Sequence, residues 1–457
     1  MMAATLPVSA EPGTAPARDG HFRRVLGLPT LVLLGLVYMV PLTIFTTYGI
    51  VTQLTGGRLP VAYVLTLLVM LFTARSYGKM AAAIPVSGSA YAYVSNSFGP
   101  AIGFLAGWSL MLDYMFLPMI NYLVIGIFLG AALPMVPTWV IVVASIGLVT
   151  AVNLAGITSI ARANIAIVGV QAVFIVVFAV LAVVQLTGSG TVDPLAPFVG
   201  TGDAGIGGLL GGAAILCLSF LGFDAVSTFA EESRDARRMV PRAIMLTTLI
   251  AGGIFIGLAY LSYLVLPTAT FTDVDAASLE VVARVGGSFL SVFFTAAYVA
   301  GSLGSALTSQ ASVSRIIHAM GRDGVLPRRV FGRLSGRGAP VAAILVTSAV
   351  ALLALVMSLT TISSLISFGA LVAFSMVNLS VIKHYAVDRG RRHSARDVLS
   401  FVLLPLVGFI ATAWLWTSLS GLTLVVGLTW AAVGFGYLLV LTRGFRRPTP
   451  RLDLKEI

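Results

Sequence analysis

Cysteine is almost absent from this chain of 457 residues: Cys217 stands alone, so no intrachain disulfide can form. Its place inside a long apolar run makes it a small packing residue by default. Histidine is nearly as scarce. His21, His318, His384 and His393 fall in or at the ends of polar connections, and no Cys/His pair has metal-ligand spacing, which excludes a metal centre and leaves acid–base catalysis little to work with. No G-x-x-x-x-G-K-[ST] run occurs, so the chain is not an ATP-driven motor of the phosphate-loop type. No ring-forming filter repeat suggests an ion channel. Neither cofactor nor metal is expected.

Charge is also sparse, at 10% of residues against 58% hydrophobic, and the mean hydropathy is +1.00. That balance lies well outside the range of soluble domains and describes a polytopic membrane protein. Apolar runs long enough to cross a bilayer recur at 30–53, 60–84, 100–132, 137–155, 161–187, 207–232, 241–267, 288–320, 339–358, 361–382, 399–418 and 422–442, giving about twelve helices. Residues 1–25 carry no apolar core and read as a disordered cytosolic tail rather than a cleaved signal. Residues 444–457 read as a second cytosolic tail.

The formal net charge of +11 raises the question of nucleic acid, and the distribution of the charge answers it. With both termini inside, all but Arg58 and Arg284 of the 28 Lys and Arg fall in cytosolic segments, so the excess is an orientation signal strengthened by anionic lipid. No nucleic-acid partner is expected. The outer loops carry Asp193, Asp203, Asp273, Asp275 and Glu280, and the stretch 271–283 can form a short surface helix.

Two spans carry helix breakers in their middles. Pro41 interrupts the first in YMVPLTIF, and Gly222 interrupts the sixth in SFLGFD. Broken backbone survives in lipid only where it lines a protein-walled cavity. Because the two spans are five apart, they imply two five-helix units of opposite orientation, 26–190 and 205–385, followed by a peripheral pair over 399–443. The fold class is therefore all-α and membrane-integral, with a five-plus-five inverted repeat. Gly207 with Gly211, and Gly208 with Gly212, have the spacing of close helix contacts.

Two acids fall deep inside spans, Asp113 and Asp224. A carboxylate at mid-bilayer costs on the order of 3 kcal/mol on insertion scales, so each marks a site or a packed ion pair. A diamine carries two ammonium groups and no carboxylate, which matches two acids with an aromatic middle. Trp108, Tyr114, Phe220 and Phe223 are the nearby aromatics for cation–π contact. Tyr298, Ser302 and Ser309 can line a pore from the eighth span. Glu231 and Glu232 stand beside Arg234, Arg237 and Arg238 and are expected to form a salt-bridge cluster closing the inner side, while Arg322 and Asp323 read as loop geometry.

Four segments, IPVSGSAYAYVSNSFG (84–99), GWSLMLDYMFLPMINYL (107–123), SFLGFDAVSTFAEESRDARRMVPRAI (219–244) and ASVSRIIHAMGRDGVLP (311–327), resemble the amino acid–polyamine–organocation transporters. The likeness covers about residues 25–445, and the DYMFLPMIN and SFLGFDAVST runs are most similar to bacterial putrescine importers. It implies alternating access, ion-driven transport without covalent chemistry, and a multi-pass place in the cytoplasmic (inner) membrane. It also implies a substrate site around Val40, Pro41, Leu42 and Thr43 and around Ser219, Phe220, Gly222, Phe223 and Asp224, with Asp113 or Asp224 in coupling. Three departures accompany it. Leu218 stands where some exchangers have a gating tryptophan, VPLT at 40–43 replaces a Gly-Ser-Gly-like break, and Gln171 stands where proton-coupled relatives often have lysine. Import of putrescine or a related polyamine with protons is the leading expectation; an amino-acid/proton symporter or amino-acid/amine exchanger is the alternative.

Overall fold

The computed structural model describes residues 24–133, 135–188, 193–200, 204–272, 274, 277–357, 359–417, 419 and 421–447. Asp203, Asp273, Asp275 and most of both predicted tails lie outside the described residues. In chain order the helices are α1 (Leu28–Met39), α2 (Ile44–Leu54), α3 (Leu59–Ala83), α4 (Ser89–Phe98), α5 (Pro100–Ala132), α6 (Thr138–Ala155), α7 (Ile157–Gly188), α8 (Ala196–Val199) and α9 (Ile206–Leu216). There follow α10 (Ala236–Val265), α11 (Ala277–Arg322), α12 (Arg328–Phe331), α13 (Val341–Ala351), α14 (Leu359–Val381), α15 (Ala395–Val398), α16 (Leu404–Trp416) and α17 (Gly421–Leu441). This is an all-α membrane architecture: among the described residues 11 helices are long and apolar enough to span a bilayer.

The predicted ninth span, 339–358, is the exception. Its apolar helix runs only from Val341 to Leu355, entered after Pro340 and closed by a 3₁₀ turn over Leu352–Leu355, which leaves it short of the usual crossing length. Of the surface helix predicted at 271–283, residues 277–283 form the first turns of α11, set off from the span by non-helical backbone at Gly286 and Gly287, while 273, 275 and 276 lie outside the described residues.

Two spans are interrupted. In Leu28–Leu54, helical geometry stops at Val40, whose φ of 49° and ψ of 94° put α1 and α2 on either side of a 3₁₀ turn at Pro41–Thr43. The proline cannot donate to the preceding turn, and Thr43 compensates: its hydroxyl donates to the carbonyls of Met39 at 2.9 Å and Val40 at 2.6 Å. In Ile206–Glu232, α9 gives way to a 3₁₀ turn at Cys217–Phe220, Leu221 is extended, and the chain resumes in 3₁₀ form over Ala225–Glu232.

The remaining helices pack around these breaks: α3 lies along α10, while α5 is flanked by α11 and α14. Their inner faces are rich in buried tyrosine, including Tyr48, Tyr63, Tyr77, Tyr93, Tyr114 and Tyr122. Their outer faces are aliphatic, as at Val176, Val180 and Val184 on α7, each more than half exposed. A hydrocarbon-facing exterior over a partly polar interior is the arrangement lipid imposes. Of the two glycine stripes on α9, Gly208 and Gly212 make the close contact, since a Cβ there would meet the Leu54 carbonyl at 2.4 Å and Thr55 at 2.6 Å; Gly207 faces open space.

Candidate substrate site at the broken helices

The sixth-span break positions Asp224. Gly222 has φ of +130°, a conformation side chains strongly disfavour, and a Cβ there would lie 2.5 Å from the Tyr38 ring and 2.9 Å from Met39. The turn therefore needs glycine twice over, for its dihedral and for the close approach of α1. With the turn in place, the Gly222 N–H donates to the Asp224 carboxylate at 3.2 Å. The Tyr114 hydroxyl donates to its other oxygen. Asp224 is thus a buried carboxylate occupying the amide-rich start of a half-helix, the end where the backbone dipole favours negative charge.

Gly222→Ala is expected to cost on the order of 1–3 kcal/mol in backbone strain alone, before the clash with Tyr38 is counted. The measured outcome should be a lowered melting temperature of the purified variant together with loss of transport. An unchanged melting temperature would show that the turn does not need glycine.

Asp113, on α5, is also fully buried, and neither of its carboxylate oxygens has a hydrogen-bond partner among the described residues. Gly369 of α14 packs so closely that a Cβ there would stand 2.6 Å from the Asp113 amide. The two acids lie within electrostatic reach of each other, and Tyr38, Tyr77 and Tyr114 lie within reach of both. The Tyr38 hydroxyl has no partner either. Tyr77 packs edge-on against Tyr93, Phe223 and Phe374, with centroids 6.1, 5.9 and 5.9 Å away, and Phe223 stacks on Phe374 at 5.3 Å. Two carboxylates, an unpartnered phenol and a wall of aromatic rings can receive a cation by charge, hydrogen bond and cation–π attraction together.

The first-span break borders the same region. Ser305 donates to the Tyr38 carbonyl at 2.7 Å and accepts from Asn121 at 3.0 Å, which ties α1 to α11 and α5. Gln171 of α7 is buried with both side-chain heteroatoms unpartnered among the described residues, and lies against Gly301 and Val40. Val40, Pro41 and Leu42 are buried at the break.

Other expected site residues are placed elsewhere. Trp108 faces away from Asp113: five residues on a helix turn the side chain by about 140°. Its indole instead stacks on Trp430 of α17 at 4.8 Å and donates to the Trp430 carbonyl at 2.9 Å, with Trp430 reciprocating at 2.8 Å. Phe220 packs on Phe255 and Tyr63 at 5.3 and 6.5 Å, and Ser219 meets the Tyr63 hydroxyl at 3.3 Å, so both serve the seam between α3, α10 and the broken span. Tyr298 is hydrogen-bonded to Thr46 of α2 and packs on Phe128 at 4.8 Å. Ser302 is buried, and Ser309 donates back to the Ser305 carbonyl of its own helix at 2.7 Å.

The closing cluster has different partners from those expected. Glu232 pairs with Arg315, both buried, and Arg315 lies 4.9 Å over the Phe229 ring. Glu231 pairs with Arg322 at 3.4 Å and accepts from the Ser87 amide at 3.0 Å. Asp323 accepts from Tyr91 at 3.1 Å. Arg234, Arg237 and Arg238 follow the helix end and turn outward, whereas α11 brings its cations inward across the bundle. Sequence inspection also passed over Tyr38, Tyr77, Tyr93 and Phe374. Only Tyr38 had a usable signal, since it stands three residues before the proline break.

Known proteins agree with this architecture. The chain is 42% identical over 438 residues, 95% of its own length and 97% of the relative's, to the low-affinity putrescine importer PlaP of Escherichia coli (strain K12). It is 26% identical over 463 residues to the branched-chain amino acid permease BcaP of Lactococcus lactis, covering 92% of this chain and 95% of that protein. It is 31% identical over 431 residues to the uncharacterized transporter Rv1999c of Mycobacterium tuberculosis, covering 93% and 94%. The amino acid permease family profile matches residues 30–442. A membrane-spanning bundle with two broken helices, matched over nearly its whole length by that profile, is a transporter rather than an enzyme, and the chain belongs to the amino acid permease family.

Proposed function

We propose that this permease imports putrescine or a related polyamine across the cytoplasmic membrane by proton symport, with two inverted five-helix repeats, 26–190 and 205–385, alternating access to the site between them. The observation that carries the reading is the pair of buried acids, one of them without a hydrogen-bond donor of its own. A buried carboxylate with no donor costs several kcal/mol until a positive partner joins it. A diamine supplies two such partners, one for Asp224 and one for Asp113, and its methylene chain suits the rings of Tyr77, Phe223 and Phe374.

The amino-acid alternative fares worse at the donor count. A substrate carboxylate needs free amides at a half-helix start, and at the sixth-span break the Gly222 amide already serves the Asp224 side chain. Pro41 has no N–H, and the amides of Val40 and Thr43 are used within the turn, by Val37 and Val40 at 3.3 and 2.8 Å. Putrescine import by the 42% identical relative supports the same choice.

Uptake into proteoliposomes tests it. Labelled putrescine should accumulate, unlabelled putrescine should compete far better than leucine or alanine, and collapse of the proton gradient should stop accumulation. Leucine uptake without diamine competition would move the assignment to amino acids. Uptake that survives collapse of both proton and sodium gradients, in vesicles with no internal substrate to exchange, would remove ion coupling. The basic asymmetry supports a cytosolic location for both termini, and a reporter fused to the C-terminus should read as cytosolic.

A further inference from the structure

We infer that a cavity between α3 and α10, on the basic face of the bundle, binds the phosphate of an anionic phospholipid headgroup. The cavity has a volume of about 410 Å³ and is lined by five cationic side chains, Arg75, Lys79, Arg237, Arg238 and Arg242. No carboxylate is among its lining residues. Two of the cations come from the last turns of α3 and three from the first turns of α10, so the cavity sits where both helices leave the apolar layer.

On its own this arrangement is electrostatically unfavourable. The start of α10 is the positive end of a 30-residue helix with no acid in its first turn, and it carries three arginines. Asp235, at the helix cap, offsets only part of this: it lies 3.9 Å from Arg238, and both groups are substantially exposed. Across the cavity, Arg75 donates to Ser400 at 2.7 Å through one terminal nitrogen, while its Nε is buried without a partner. Lys79 lies 5.2 Å over the Phe401 ring and has no ion pair among the described residues. The Asp235 carboxylate also caps the helix start, accepting from the Arg238 amide at 3.3 Å, so what a phosphate would satisfy is the unpaired guanidinium donor and the surplus of cations.

A lipid fits better than a soluble phosphate because the cavity continues into apolar surface. Pro241 and Met245 form its wall on α10, and the same helix then exposes Leu246, Leu249 and Ile250 by 39, 45 and 41%. A headgroup held by the cations would lay its acyl chains along that strip, as basic pockets between membrane helices do with anionic lipids.

The test is lipid titration of the detergent-purified full chain, followed by native mass spectrometry and thermal shift. Dioleoyl phosphatidylglycerol should bind and raise the melting temperature, and dioleoyl phosphatidylcholine should not. Arg75→Gln/Arg242→Gln should weaken phosphatidylglycerol binding on the order of thirtyfold, from about 1 kcal/mol for each of the two basic residues. Arg328→Gln/Arg329→Gln, which removes two exposed arginines elsewhere on the basic face, should leave it unchanged. If the double variant does not yield monodisperse protein, Lys79→Gln and Arg242→Gln taken singly serve, each with a severalfold loss. Equal binding of the two lipids, equal protection by inorganic phosphate, or undiminished lipid binding by the variants would each overturn the proposal.

Discussion

Asp224→Asn is expected to weaken putrescine binding by about 2–5 kcal/mol, roughly a thirtyfold to several-thousandfold rise in the dissociation constant. The native carboxylate accepts from Tyr114 through one oxygen and from the Gly222 amide through the other. An asparagine can accept through only one atom, so its NH₂ group would either meet the Gly222 N–H, donor against donor, or face the Tyr114 hydroxyl, which must then turn to accept. The substitution thus removes the charge proposed to meet an ammonium and also disturbs the turn that presents it. Asp224→Glu separates the two effects, because it restores charge without restoring geometry. Binding measured by calorimetry on both variants is the check, and wild-type affinity in Asp224→Asn would remove this residue from the site.

The membrane architecture and its two breaks were legible because each has a local cause. Apolar length follows from bilayer thickness, and a proline or a glycine beside an acid interrupts a helix whatever surrounds it. Asp113 and Asp224 were legible for a related reason, since an intramembrane acid stands out against an apolar background. The aromatic surroundings were not. Tyr77, Tyr93 and Phe374 come from α3, α4 and α14, far apart in sequence, and a membrane helix gives little periodic contrast between a tyrosine facing a site and one facing a neighbour. Trp108 shows the same difficulty in reverse: its nearness to Asp113 in sequence suggested a shared wall, yet helical rotation carries it to α17. Pairing of the closing acids depended on α11, whose Arg315 and Arg322 cross to Glu232 and Glu231 over about eighty residues of sequence or more. Charges adjacent in sequence were the obvious partners, but Arg234 is exposed, and Arg237 and Arg238 lie along α10 and line the basic cavity instead.

Asp113→Asn divides the remaining possibilities for the second acid. Both Asp113 oxygens are buried without donors, whereas Asp224 has its carboxylate held from two sides. Under the proposed function, an acid so placed has two candidate roles, meeting the far ammonium of a diamine and carrying the coupling proton. In the first role Asp113→Asn should weaken putrescine by the same 2–5 kcal/mol order while sparing a monoamine of similar length, which engages Asp224 alone. In the second, the variant should bind putrescine normally, lose accumulation driven by a proton gradient, and show binding that no longer varies with pH as in the wild type. Because no residue among the described atoms neutralises Asp113, either outcome should leave the fold intact, and removing its charge should if anything raise the melting temperature. Equilibrium binding of putrescine and a monoamine over a pH series, paired with gradient-driven uptake by the same protein in proteoliposomes, distinguishes the roles. Normal binding with normal uptake would exclude Asp113 from both and leave Asp224 to serve substrate and proton in turn.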